Sequence, residues 1–388
     1  MPLKVLSPSH PLWLAGFRPF FVLAIFFGFL MPALWGFVFS GRLNLPVGMN
    51  PLQWHAHEMF FGFGGAVLIG FLLTASKNWV KVRGIHGRGL MILVGLFVFE
   101  RFFIYYAFGV ESVLKHVGLS IFFAASAIYI VATLYKHRQN DSFSDNYFFV
   151  ILLGFILIAK NLLISDEYYQ YGTAMTVGLF RLAFAVMFER TMPQFMKNSE
   201  GHELYRNKGL DLSIKLSVLV AAFQGFFPPV IAASILILAG SLLFVRWILW
   251  RPDLGFKKFA NATMYAGYLG LVIHFFISAT QLLDIWSFGT IALHTFTLLC
   301  LGLVVPSMLI RISQGHTGRK PQFLTSAKVA LSIIFISALV RLLLPLALPA
   351  YYSTWIMTAG LLWSVAFLIL GIWLIPYLFQ ARIDGKEH

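Results

Sequence analysis

Four histidines stand inside or at the mouth of strongly apolar stretches. His55 and His57 fall in Trp54-His55-Ala56-His57-Glu58, His274 in the run 260–283 and His294 in the run 286–312. Ionisable groups at membrane depth cost about 2.5–3.5 kcal/mol on insertion scales and face bundle interiors, cavities or bound groups. Neutral imidazole is a common ligand for copper and for b-type haem iron, and such a haem needs no cysteine. The four histidines are therefore candidate metal and cofactor ligands. A single imidazole in a span is more simply read as hydrogen-bonded to a neighbouring helix, at about 0.6 kcal/mol on average. His274 and His294, on successive helices at matching depth, shift that balance. His55 and His57 point about 200° apart on a helix and are expected to serve different faces. Glu58, three residues after His55, would orient the His55 ring. The same cluster also reads as a polar helix start at the membrane surface.

Buried arginines form a complementary set. Arg101 follows Glu100, Arg181 lies near the middle of its run, and Arg341 lies toward the outer half of the eleventh. Haem carries two propionates, and a guanidinium pairs bidentately with a carboxylate. Arg341 is the preferred propionate partner because its depth matches that of the histidines, with Arg101 second; the alternative for each is an ion pair within the protein. Glu100 and Arg101, adjacent on a helix, are not expected to face each other, so at least one needs a partner elsewhere. The segment Arg311 to Arg319, with His316 between Gly315 and Gly318, reads as a tight helix exit on the cytoplasmic side. His316 should not share the site of the other histidines, and it and Arg319 are further candidates.

These residues need apolar helices to position them. The 388-residue chain is 59% hydrophobic and 11% charged, with a mean hydropathy of +0.81; soluble proteins run about 45–50% apolar and about 25% charged. In lipid every backbone polar group must be paired within its segment, which leaves helices or closed barrels. Runs such as 20–39 and 148–164 lack the alternation of a barrel strand. The fold class is therefore all-α, a polytopic transmembrane bundle of about twelve spans forming a single transmembrane domain over 1–388. The spans fall at 18–40, 52–75, 89–109, 112–135, 146–165, 171–193, 210–227, 229–249, 260–283, 286–312, 324–348 and 351–379. The division at Pro228-Pro229 is read as a tight turn between two helices. Lys and Arg then crowd alternate loops, from Lys77 and Arg83 to Arg319 and Lys320 and the tail residues Arg382 and Lys386, which places both termini in the cytoplasm. No cleavable leader is expected. The net charge of +14 is a matter of this one-sided placement and does not point to nucleic acid. Cys300 is the single cysteine, which excludes disulfides, thiolate clusters and covalent haem attachment.

Several strings in order resemble the NnrS family. They are Gly16-Phe17-Arg18-Pro19-Phe20-Phe21, Trp54-His55-Ala56-His57-Glu58-Met59 with Gly62-Phe63, and Gly70-Phe71-Leu72-Leu73-Thr74-Ala75 leading to Asn78-Trp79. Arg190 with Pro193, then His294, Thr297 and Gly302, and finally Gly315-His316-Thr317-Gly318-Arg319 continue the match. The chain departs from the family pattern at Val80-Lys81, at Glu189 and at Pro306, which is expected to interrupt the tenth span. The resemblance implies a multi-pass protein of the bacterial cytoplasmic membrane that binds haem b and copper and acts in the response to nitric oxide, by binding it, by redox chemistry, or by protection from metal nitrosyl stress. Two other classes stay open. A nitric oxide reductase core would hold its metals with adjacent histidines, and no His-His pair occurs. A secondary transporter would use Arg181, Glu100 and Glu189 as substrate or proton groups.

Overall fold

The computed structural model describes residues 4–46, 48–141, 146–286 and 289–385; Lys386 and positions 287–288 of the tenth run lie outside them. Every regular element among the described residues is helical. The principal helices are α1 (Phe17–Phe39), α2 (Pro51–Trp79), α3 (Gly87–Ala107), α4 (Ser112–Gly118), α5 (Ile121–Lys136), α6 (Tyr147–Leu163) and α7 (Tyr169–Glu200). They continue with α8 (Lys208–Ala221), α9 (Pro229–Leu249), α10 (Phe259–Leu282), α11 (Ile291–Gly315), α12 (Thr325–Ala347) and α13 (Tyr352–Phe379).

Nine helices among the described residues are long and apolar enough to cross a membrane, and ten if α4 and α5, bent by 50° at a short break, form one span. This is a multi-pass membrane protein with fewer full-length spans than the twelve runs suggest. With α4 and α5 counted as one span, the shortfall is at two runs. α6 has 17 residues, and α8 has 14 because the polar start of the run, with Asp211 and Lys215, is followed by a turn at Gln224–Phe226. Pro229 then opens α9 as its first residue, a position where a missing N–H costs nothing. Pro193 and Pro306 both lie inside continuous helices, α7 and α11, so neither ends its helix.

The chain gathers into two compact units. The first comprises Met1–Tyr169, Leu309–Gln322 and Trp363–His388, and the second comprises Gln170–Met308 and Phe323–Leu362. Within the first, α1 and α2 meet at glycines. A Cβ at Gly70 would lie 2.8 Å from the Phe20 Cβ, and one at Gly16 would lie 2.5 Å from the Leu73 Cβ. The Phe17 backbone N–H donates to Thr74 Oγ1 at 3.0 Å, so a threonine of α2 caps the start of α1, satisfying one of its orphan donors. Two of the family-like strings, around Gly16 and Gly70, are thereby accounted for by packing. α3 shows how the helices sort their residues: Ile92, Phe99, Phe102 and Tyr106 form an exposed apolar stripe, whereas Glu100 and Arg101 are buried. Polar groups turned inward and apolar groups turned outward is the arrangement lipid requires.

Candidate haem and metal ligands

The four histidines divide between the units, His55 and His57 in the first and His274 and His294 in the second. In the first unit, Asn50 caps α2 by accepting from the Leu52 N–H, with Pro51 as its first residue. The helix is α-helical through His57 and then widens into a π turn over Glu58–Gly64 before resuming at Gly65. Such wide turns recur at functional sites. His55 stacks on Trp35, with ring centroids 4.1 Å apart and planes within 15°. His57 is 0% exposed and its Nδ1 lies 3.0 Å from Glu58 Oε1.

Glu58 thus holds His57, not His55 as helical spacing suggests. Arg101 explains the choice. Its Nη1 donates to the same Glu58 Oε1 at 2.9 Å and draws the carboxylate inward. Gly62 leaves room for this pair: a Cβ there would lie 3.2 Å from Arg101 Nη1 and 3.3 Å from Glu58 Oε2. The other arm of Arg101, Nη2, donates to Glu100 Oε2 at 2.9 Å, so these adjacent residues do face each other. The planar fork reaches one carboxylate with each arm. Glu100 also accepts from Lys160 Nζ at 2.5 Å and from the Phe122 N–H at 2.9 Å. Lys160, in the apolar run 148–164, is a member that the sequence reading overlooks. Two carboxylates and two cations close a network without net charge. Its unused polar atoms include Arg101 Nε and His57 Nε2, both buried and without a hydrogen-bond partner. A carboxylate only accepts, so Nδ1 carries the proton and Nε2 of the neutral ring presents its lone pair.

In the second unit, α10 and α11 approach at Gly270, where a Cβ would lie 2.7 Å from the Leu299 Cβ. One turn further along α10, His274 is 1% exposed and its Nδ1–H donates to the Ala292 carbonyl at 2.5 Å. Its Nε2 is buried and unpartnered. His294, two residues beyond Ala292 and half-buried, donates through Nδ1 to the Thr290 carbonyl at 2.8 Å; α11 passes into a second π turn at Thr295–Leu301. Arg341 donates from Nη2 to Thr290 Oγ1 at 2.7 Å and to the Tyr352 hydroxyl at 3.4 Å. Thr290, unremarked in the sequence, therefore joins Arg341 to His294. Arg181 is 2% exposed, donates from Nη1 to Gln224 Oε1 at 3.0 Å and lies over the Phe275 ring at 5.2 Å. Among the described residues neither Arg181 nor Arg341 pairs with a carboxylate, and no three His, Cys, Asp or Glu side chains gather to hold a metal ion.

A separate network in this unit involves α7, α8 and α9. Glu189 pairs with Lys215 at 3.0 Å and with Arg206 at 3.3 Å, and Asp211 pairs with Arg246 at 3.1 Å. The sequence signal for it was a charge within each apolar run, including Arg246 near the end of 229–249. Glu100 and Glu189, the two acids of the transport reading, are both held by cations of their own unit.

A model of the NnrS protein family matches residues 11–382. The chain belongs to the NnrS family. No match is found among curated proteins. The match covers nearly the whole chain, and so includes both histidine pairs and the Gly315-to-Arg319 segment. In the first unit, that segment forms the exit of α11. His316 packs on Phe17 at 5.4 Å between ring centroids, Gly318 takes a φ of +83°, and the Arg319 guanidinium lies 4.3 Å from the Tyr377 ring centroid.

Burial, helped by the positive charges of Lys77, Arg382 and Arg18, pushes the His316 imidazole down from 6.5 to about 4. The unfolded chain therefore binds the proton first, and stability is full above pH 6.5 and declines as pH falls toward 4. The loss reaches roughly 3 kcal/mol at the acid end. Unfolding midpoints measured across this range should flatten in His316→Asn. An unchanged slope would show that other groups carry the acid sensitivity.

Proposed function

We propose that this NnrS-family protein binds haem b in its second unit, through His274, and serves the bacterial response to nitric oxide. The observation carrying this reading is the state of His274, with Nδ1 engaged by a backbone carbonyl and a buried Nε2 lone pair left to act. The donor set fits the group. The His274 imidazole would supply a nitrogen ligand to the iron, and Arg341, which pairs with no carboxylate among the described residues, would pair with a propionate. His294 is linked to Arg341 through Thr290 and is the second candidate ligand.

The haem iron, when bound, supplies a centre that takes up nitric oxide. The Ala292 carbonyl fixes the ring orientation and proton of His274, keeping Nε2 available. The surrounding Phe275 and Phe296 rings exclude water from it. Copper has narrower support. His57, set by Glu58, offers one ready nitrogen, while His55 is stacked away on Trp35; a stable copper site needs further donors.

We place the protein in the cytoplasmic membrane with both termini inside and the shorter helices α6 and α8 completing about twelve crossings. The alternation of basic loops supports this orientation, and labelling of a C-terminal tag from either side of the membrane checks it. Purified from haem-replete cells, the wild-type protein should show a Soret band that shifts on adding nitric oxide. His274→Ala should remove most of that absorbance, and a colourless, metal-free wild-type preparation would end the haem reading.

A further inference from the structure

Arg181 is buried in the middle of α7. Its Nη1 donates to the amide oxygen of Gln224, its guanidinium lies over the face of Phe275, and its Nε–H is buried with no acceptor. Among the described residues no acid pairs with it. Arg246 in the same unit, equally buried, shows the contrast: a carboxylate, a tyrosine hydroxyl and a backbone carbonyl surround its guanidinium. A cation withdrawn from water is costly unless it is paired. An amide dipole and one aromatic face offset only part of that cost.

The surroundings of Arg181 hold further unused polar capacity. His274, adjacent to Phe275 on α10, feels the Arg181 charge and has its Nε2 unpartnered. With Nη1 occupied by Gln224, the Nε edge of the fork remains for a ligand.

We propose that Arg181 anchors an anion site in the second unit that accepts a planar, singly charged oxyanion group. A guanidinium edge presents two parallel N–H donors, and a group with two oxygens on one trigonal atom matches them. A carboxylate and a nitrite ion share that geometry. The carboxylate source is a haem propionate and rests on the reading given above; free nitrite is independent of it.

The full chain, purified in detergent as wild type, Arg181→Met and Arg181→Lys, separates these sources. With nothing added, Arg181→Met should unfold at or above the wild-type temperature, because it removes an uncompensated buried charge. Sodium nitrite should raise the midpoint of the wild type and leave Arg181→Met unmoved if the anion is free. Haemin should survive desalting on the wild type and bind Arg181→Met about tenfold more weakly if the anion is a propionate. A colourless wild type that still responds to nitrite ends the haem reading and keeps the anion site. The proposal is overturned if Arg181→Met matches the wild type in both arms. It is equally overturned if the ligand-free Arg181→Met protein is markedly destabilised and Arg181→Lys restores it, which would make Arg181 a structural cation.

Discussion

Glu100→Gln should destabilise the protein by about 3–5 kcal/mol, the usual cost of breaking a buried ion pair from one side. Glu100 is 0% exposed and accepts from Arg101, Lys160 and the Phe122 N–H. Glutamine keeps the volume, but its amide nitrogen meets donors where the carboxylate met them with an acceptor, and the cluster is left with two cations and the single charge of Glu58. The damage is thus electrostatic and should be reversible by charge. Adding Lys160→Met removes the surplus cation and fills its space with an apolar chain, so the double variant should recover most of the loss in thermal or denaturant unfolding. A double variant no better than Glu100→Gln alone would mean that packing around residue 100, and not charge balance, sets the cost.

Arg246→Ala should cost a similar amount, again about 3–5 kcal/mol, by a different route. Its three guanidinium nitrogens reach three helices: the Tyr268 hydroxyl of α10 at 2.8 Å, Asp211 of α8 at 3.1 Å and the Ala185 carbonyl of α7 at 3.2 Å. The guanidinium also lies 4.7 Å from the Trp250 ring centroid. Arg246→Lys retains the charge near Asp211 but cannot hold three directions at once, so it should fall clearly short of the wild type. Equal unfolding midpoints for Arg246→Lys and wild type would reduce the role of Arg246 to its charge.

Helix positions were legible in the sequence wherever an apolar run was long and bounded by turn residues. The run 229–249 is α9 to the residue, and 324–348 differs from α12 by one residue at each end. Hydropathy misjudged α7, which continues to Glu200 through polar residues and past Pro193; backbone bonding does not stop where hydropathy falls. At the ligand level, His274 and His294 could be paired because they lie on consecutive helices joined by a short connection. The partner of Glu58 could not be read, since it depends on Arg101, 43 residues away. Lys160 escaped notice because one lysine barely lowers the hydropathy of seventeen residues. The unpaired state of Arg181 was beyond sequence altogether: it is a statement about every acid in its surroundings.

Two of the three helices that carry the candidate histidines, α2 and α11, widen into a π turn immediately after His57 and His294. A wide turn of this kind carries one residue more than the α-helical path it replaces, and one residue corresponds to about 100° of rotation. The histidines therefore hold their bearings relative to the rest of each helix by a count of residues, independently of side-chain identity. Point substitutions within 58–64 or 295–301 leave that count unchanged. Loss of a single codon there would restore a regular helix while turning the histidine away from its partners, so these are segments where length is under stricter constraint than composition.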